Sequence, residues 1–231
     1  MQQLFEWVQK SSCDIDNNAD FISFTNDIVA SHKNKNIVFA NHHPVYTNGQ
    51  TAGNYPAKKH FVPLPILGTI ITVIKKIAGT AQQFGHPDYE TYRAVMKTSI
   101  ANCEGCLTIS SHDKSLQHHM KDGNHFIVAG SPVSSDYARK GDGAEFVSMN
   151  KGFTKLITTA ANELWLEFYG MNNSGAFERV YRKMISKKEK IKFDDKGLKM
   201  IHSYAEGDLR HSINMLQAAS SLGVVNESNV K

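Results

Sequence analysis

Cysteine is scarce: three in 231 residues, an odd count that gives no disulfide framework and fits a reducing compartment, with a cytoplasmic location favoured. The opening, MQQLFEWVQK, lacks the basic and apolar stretches of a secretory leader. Long apolar runs are also missing. The most apolar segment, Phe61 to Gly79, is broken by Pro63, Pro65, Gly68 and the Lys75-Lys76 pair, and falls short of a membrane-spanning helix. A net charge of +4 is too modest to argue for nucleic acid from the whole chain. The hydrophobic share, 41%, is enough to bury a core.

What is present changes character near Gly170. Asn36 to Phe39, NIVF, reads as a buried strand followed by the loop ANHHPVYTNG, so His42 and His43 stand at a strand's carboxyl end. Tyr89, Tyr92, Val95, Met96 and Ile100 recur at helical spacing behind a Pro87-Asp88 start. CLTISSHD reads as a second buried strand ending in a histidine. Asp122-Gly123 between two alternating runs predicts a hairpin. Strands linked by turns follow through Trp165 and Phe168, and beyond Gly170 the text becomes charged and helix-periodic.

A strand ending in H-x-P (His42, Pro44) with YTNG behind it, a helix, a strand ending in SSHDKSLQ, then FIVAGS and GFTKL together resemble the C-terminal half of a calcineurin-like metallophosphoesterase of the purple acid phosphatase-related group. The resemblance runs from about Cys13 to Tyr169. It implies an α/β two-sheet sandwich, here partial, whose strand ends present ligands to two metal ions (Fe, Mn or Zn) that activate a hydroxide against a phosphoester substrate. By position, His42 corresponds to the ligand of the H-x-P motif and His112 to the first histidine of a Gly-His-x-His motif. His43 has two readings, a phosphate-facing catalytic neighbour or a polar loop residue.

The departures matter as much. Lys114 stands where the motif has its second histidine, and an ammonium has no lone pair for a metal. Ser111 replaces the motif's glycine, and Thr51 stands where the group often has another histidine. The family's earlier strings, Asp-x-His, Gly-Asp-x-x-Asp and Gly-Asn-His, should lie upstream of the opening residues and are read as missing from the chain. Two ions need about six ligands in near-fixed geometry, so the expectation is a metal-free or weakly binding site without activity in this chain. His118 and His119, adjacent in strand text, point to opposite faces and cannot chelate one ion as a pair. Cys103 to Cys106, CEGC, is a lone C-x-x-C read as helix-end filler.

In the tail, Asp194 or Asp195 can cap a helix through Tyr204, and Asp208 another that ends at Gly223, with Leu209, Ile213, Leu216, Ala219 and Leu222 on one face. NESNVK reads as a cap and the opening of a further helix, which the chain leaves in mid-element. The run EGDLR…IN.LQ.A is similar to the lid subdomain of a replication factor C (clamp loader) small subunit, over about Arg179 to Lys231. That resemblance implies replication-complex subunits or DNA as partners and a nucleotide-sensing role for Arg210. No G-x-x-x-x-G-K-[ST] phosphate loop occurs in the 231 residues, which leaves that role vestigial and Arg210 a solvated first-turn residue. The basic run from Arg179 to Lys192 reads as a solvated helix face or a DNA contact.

The sequence therefore predicts an α/β fold: a partial metallophosphoesterase-type sandwich over residues 1–170 and a small all-α bundle over 171–231. The Asn-, Ser- and Gly-rich junction near Gly170 reads as a linker, as in a fusion of two fragments. Two functions are in view. One is phosphoester hydrolysis, inherited and incomplete; the other is a non-catalytic clamp-loader-like interaction module.

Overall fold

The computed structural model describes residues 15–80, 82–187, 192–205, 208–221 and 224–230. The chain divides into two compact units, Met1–Lys188 and Glu189–Lys231.

The first unit is layered. Asn17 caps α1 (Asn18–Ser31), its side-chain oxygen accepting from the amides of Ala19 and Asp20. Among the described residues one sheet has five strands in the order β1-β2-β4-β3-β5. They are β1 (Val38–Ala40), β2 (Leu107–Ser110), β3 (Leu116–Lys121), β4 (Asn124–Ala129) and β5 (Ala144–Ser148). β1, β2 and β4 run parallel, and β3 is antiparallel to both β4 and β5. The Asp122-Gly123 hairpin forms as read, with Lys121 opposite Asn124 and Asp122 at φ 51°. A second, antiparallel sheet holds β6 (Gly152–Thr158), β7 (Glu163–Met171) and β8 (Phe177–Lys187).

Alternation along the strands decides how the layers meet. Leu107, Leu116 and Ile127 of the first sheet pack on Leu164, Leu166, Phe168 and Ile185 of the second. The opposite face of the first sheet, through Phe126, meets Met96 and Ile100 of α3 (Pro87–Ile100) and Val45. Between β1 and α3 lies α2 (Pro65–Ala78).

The first unit departs from the sequence reading in several places. The residues after Gly170 do not begin a helical region: Gly170 pairs with both Gly152 and Glu178 inside the second sheet, and β8 extends to Lys187. The Asn-Ser-Gly junction is the tight turn between β7 and β8, where Asn172 Oδ1 accepts from the amides of Ser174 and Ala176. Linkers and hairpin turns share the same residues because both need polar side chains that satisfy local amides. Within the basic run, Arg179 and Arg182 of β8 pair with Glu167 of β7, which is 3% exposed. Burial pushes the Glu167 carboxyl up, but hydrogen bonds from Tyr169 and Arg179 and the charges of both arginines outweigh it and lower it overall. Those arginines are sheet residues with a partner, not a solvated helix face. Last, Cys103 and Cys106 form a disulfide with Cα atoms 5.7 Å apart, beyond the end of α3, so the C-x-x-C is a cross-link and not filler.

The second unit is not all-α. A two-residue parallel pair, β9 (Lys192–Phe193) with β10 (Val224–Val225), accompanies α4 (Asp195–Ala205), α5 (Leu209–Ser221) and α6 (Glu227–Val230). Asp194 caps α4 through the Gly197 amide, Asp208 caps α5 through the His211 amide, and Asn226 accepts from the Asn229 amide in α6. Ile201, Ala219 and Val225 form its core with Met215, Leu216 and Val230 against it. Gly223 and Leu222 lie outside the described residues, as do the side chains of Leu209, Arg210 and Ile213.

Candidate functional site

Parallel pairing of β1 with β2 sets their carboxyl ends side by side, because Ala40 is in register with Ile109. The chain then leaves both strands in the same direction. The amides of Ser111 and His112 both donate to the His42 carbonyl, at 3.2 and 2.9 Å, which ties the two loops together. His42, His43 and His112 therefore converge although two of them are some seventy positions from the third. His112 Nδ1 lies 3.1 Å from His42 Nε2, and His42 Nδ1 lies 3.2 Å from the Ser111 hydroxyl. The His43 ring stacks on that of His112 with centroids 4.6 Å apart.

Helix α3 holds the histidine loop from below. Tyr92 donates its hydroxyl to the His43 carbonyl at 2.6 Å, Tyr89 to the Pro44 carbonyl at 3.0 Å, and Arg93 Nε to the Val45 carbonyl at 3.0 Å. Residues at i, i+3 and i+4 share one helical face, so three successive loop carbonyls find three donors on one side of α3. Asn41 adds its amide to the His43 carbonyl and the Tyr92 hydroxyl.

Asp113 is the residue the sequence reading overlooked. It is 3% exposed, and its carboxylate accepts from the Thr47 hydroxyl at 2.5 Å and the Thr51 hydroxyl at 2.7 Å. Gly49 permits this approach: a Cβ there would stand 2.3 Å from Asp113 Oδ2. Thr51, where the metallophosphoesterase pattern has a histidine, is thus a structural partner of Asp113. The carboxylate is turned into the loop 47–51 and away from the imidazoles' role. Its only sequence signal is adjacency to His112.

Electrostatics favour the neutral form of His43 and His112. Burial, then the neighbouring His112 and His42, lower the pKa of His43 to about 4, and burial is also the largest cause that lowers His112. Neutral imidazoles can accept hydrogen bonds or ligate, yet among the described residues no group of three or more His, Cys, Asp or Glu is arranged to hold a metal ion. His42 and His112 offer two donors where even one ion needs about four, so these residues do not fit a dinuclear centre. A Gly-Asn-His string does occur, at Gly123 to His125, but in the β3–β4 hairpin: Asn124 accepts from the Cys106 amide, and His125 faces His118.

His118 and His119 do point to opposite faces. His118 lies between His125 Nδ1 and the Tyr181 hydroxyl, each at 2.9 Å, and His119 bonds Gln117 at 3.0 Å. Burial is the first cause that lowers them, to about 3 and about 4.

One family model matches in the tail. The profile of the RCF1/5-like, AAA+ ATPase lid domain matches residues 183–221. Over 48 residues the chain is 46% identical to the replication factor C small subunit of Staphylothermus marinus, covering 21% of this chain and 15% of that protein. Over 63 residues it is 36% identical to the same subunit of Sulfolobus acidocaldarius, covering 27% and 19%. In Saccharolobus solfataricus the figures are 40% over 58 residues, 25% and 17%. The chain thus spans less than a fifth of the length of these relatives. Among solved structures, "GAP50 the anchor in the inner membrane complex of Plasmodium" aligns with 80% of this chain and 48% of its own, at 18% identity and a TM-score of 0.44, a likeness that carries no argument. The tail, from the end of β8 through α5, is similar to a clamp-loader lid.

Proposed function

We propose that the chain is a non-catalytic interaction protein whose C-terminal unit docks, as a clamp-loader lid would, on subunits of a replication complex. The observation that supports this is the coincidence of the lid match, residues 183–221, with a capped helical unit built on Ile201, Ala219 and Val225, in a sequence without a phosphate-loop motif. Leu198 and Tyr204 on α4, 36% and 53% exposed, are the apolar side chains that a partner would cover. Purified full chain mixed with replication factor C subunits should co-elute on size exclusion. Leu198→Asp with Tyr204→Ala should abolish the shift while leaving the thermal midpoint of the chain unchanged; absence of co-elution for the unaltered chain refutes the reading.

A second reading rests on the convergence of His42, His43 and His112. In it the cluster is a phosphoester-facing remnant of a metallophosphoesterase, with His42 and His112 as the ligands that persist and His43 toward the phosphate. Fe, Mn or Zn would need further ligands from another chain. Turnover of p-nitrophenyl phosphate that depends on added Fe, Mn or Zn and disappears in His42→Ala supports it; no turnover with any of these metals removes it.

A further inference from the structure

Helix α2 is mounted inside out. Its small and polar side faces the protein: Thr72 is 7% exposed with its hydroxyl 3.2 Å from His60 Nδ1, and a Cβ at Gly68 would stand 2.6 Å from the His60 carbonyl oxygen. Its apolar side faces outward. Ile66, Leu67, Ile70, Val73, Ile74 and Ile77 are all between 44% and 78% exposed. At helical spacing these six fall in an arc of about 120°. The preceding loop continues the patch with Phe61, Val62 and Leu64, each above 60% exposed. A contiguous apolar surface of this kind marks a place where something else docks.

We propose that α2 and the loop before it lie in the interfacial layer of an anionic lipid bilayer. Charge selects this occupant. No aspartate or glutamate occurs between Asp27 and Asp88, while Lys58 and Lys59 precede the patch and Lys75 and Lys76 lie in the last turn of the helix. Lys58 and Lys59 are exposed and form no ion pair among the described residues. A second copy paired through this face about a two-fold axis would bring these lysines against their own mates, with no carboxylate from the same segment to offset them. An anionic membrane surface supplies phosphates and carboxylates at the rim and hydrocarbon beneath, matching both features together. At 14 residues the helix is about 21 Å long, too short to cross and long enough to lie flat.

The test is flotation of the full chain with vesicles of phosphatidylcholine alone and with vesicles of equal parts phosphatidylcholine and phosphatidylserine. Binding is expected to the mixed vesicles and to fall steeply as salt is raised. Ile74→Glu should weaken it about tenfold or more, the factor set by one buried isoleucine. Lys58→Ala and Lys59→Ala should each weaken it about fivefold on mixed vesicles. All these positions are exposed, so circular dichroism and thermal midpoint should stay unchanged. No flotation of the unaltered chain, or flotation indifferent to Ile74→Glu, overturns the proposal. So does a concentration-dependent dimer that Ile74→Glu dissociates without any vesicle binding, which would assign the face to a second copy.

Discussion

Two histidine clusters occupy the same sheet and could hardly differ more. His42, His43 and His112 sit on loops beyond the carboxyl ends of β1 and β2, partly open to solvent, their rings touching one another. His118 and His125 sit on β3 and β4, facing the second sheet, where Tyr181 of β8 completes a chain of hydrogen bonds. The first cluster has nitrogen atoms that could meet a ligand. The second is buried, His118 at 0% and His125 at 6% exposure, with both nitrogens of His118 on protein partners, so its imidazoles serve as polar filler in a dry interior. The contrast teaches that a histidine's role here follows from its place on the strand, end or middle, more than from its neighbours in sequence.

The contrast can be broken most violently at the buried cluster. His118→Ala would leave the Tyr181 hydroxyl and His125 without their partner and open a cavity between the sheets, at a cost of about 3 kcal/mol in urea unfolding. Acid should strain both clusters next, since His43 of the open one is also lowered to about 4. His118 and His119 titrate near 3 and 4 when folded and near 6.5 when unfolded, so below 6.5 the unfolded chain takes up protons first. Stability is then full above about pH 6.5 and falls as pH drops through about 4 toward 3, by at most about 1.4 kcal/mol per pH unit for each imidazole. Urea midpoints measured across that range should show the slope, and a flat profile would mean these rings are not buried neutral.

Asp113→Ala comes third. Loss of the acceptor for Thr47 and Thr51 should destabilise by about 2 kcal/mol, against about 1 for Asp113→Asn, in the same assay. The smallest effect belongs to the open cluster: His42→Ala should change stability by less than about 0.5 kcal/mol. It should nevertheless raise the His43 titration seen by NMR, since a neighbouring like charge that opposes protonation is gone.

Much of the first unit was legible. The apolar β-branched runs became β1 and β2, although β1, read as buried, is an edge strand with Val38 41% exposed; Asp122-Gly123 became the hairpin turn, and the spacing of Tyr89, Tyr92, Val95, Met96 and Ile100 became α3. The convergence of His42 with His112 was also readable from strand ends, provided the two strands were parallel neighbours, which spacing alone does not dictate. Asp113 was not, because a carboxylate beside a histidine carries no sign of whether it faces the ring or the loop behind it. The stretch after Gly170 misled because charge density masks period-two alternation: Arg179 and Arg182 look solvated in text, and only pairing with Glu167 makes them part of a sheet. Helix α1 drew no reading, although Asn17 supplied a cap.

Helices α2 and α3 make the last distinction. Each has 14 residues and a proline at its first position, and local sequence is sufficient to make both helical. Sequence also set the two end-capped helices of the tail and its likeness to a clamp-loader lid, since caps and short motifs act over three or four residues. Which face of a helix meets the body was decided elsewhere. Parallel pairing of β1 with β2 and of β2 with β4 brings together residues far apart in the chain, and that long-range choice gave α3 the Phe126 face to pack on and set three imidazoles in contact.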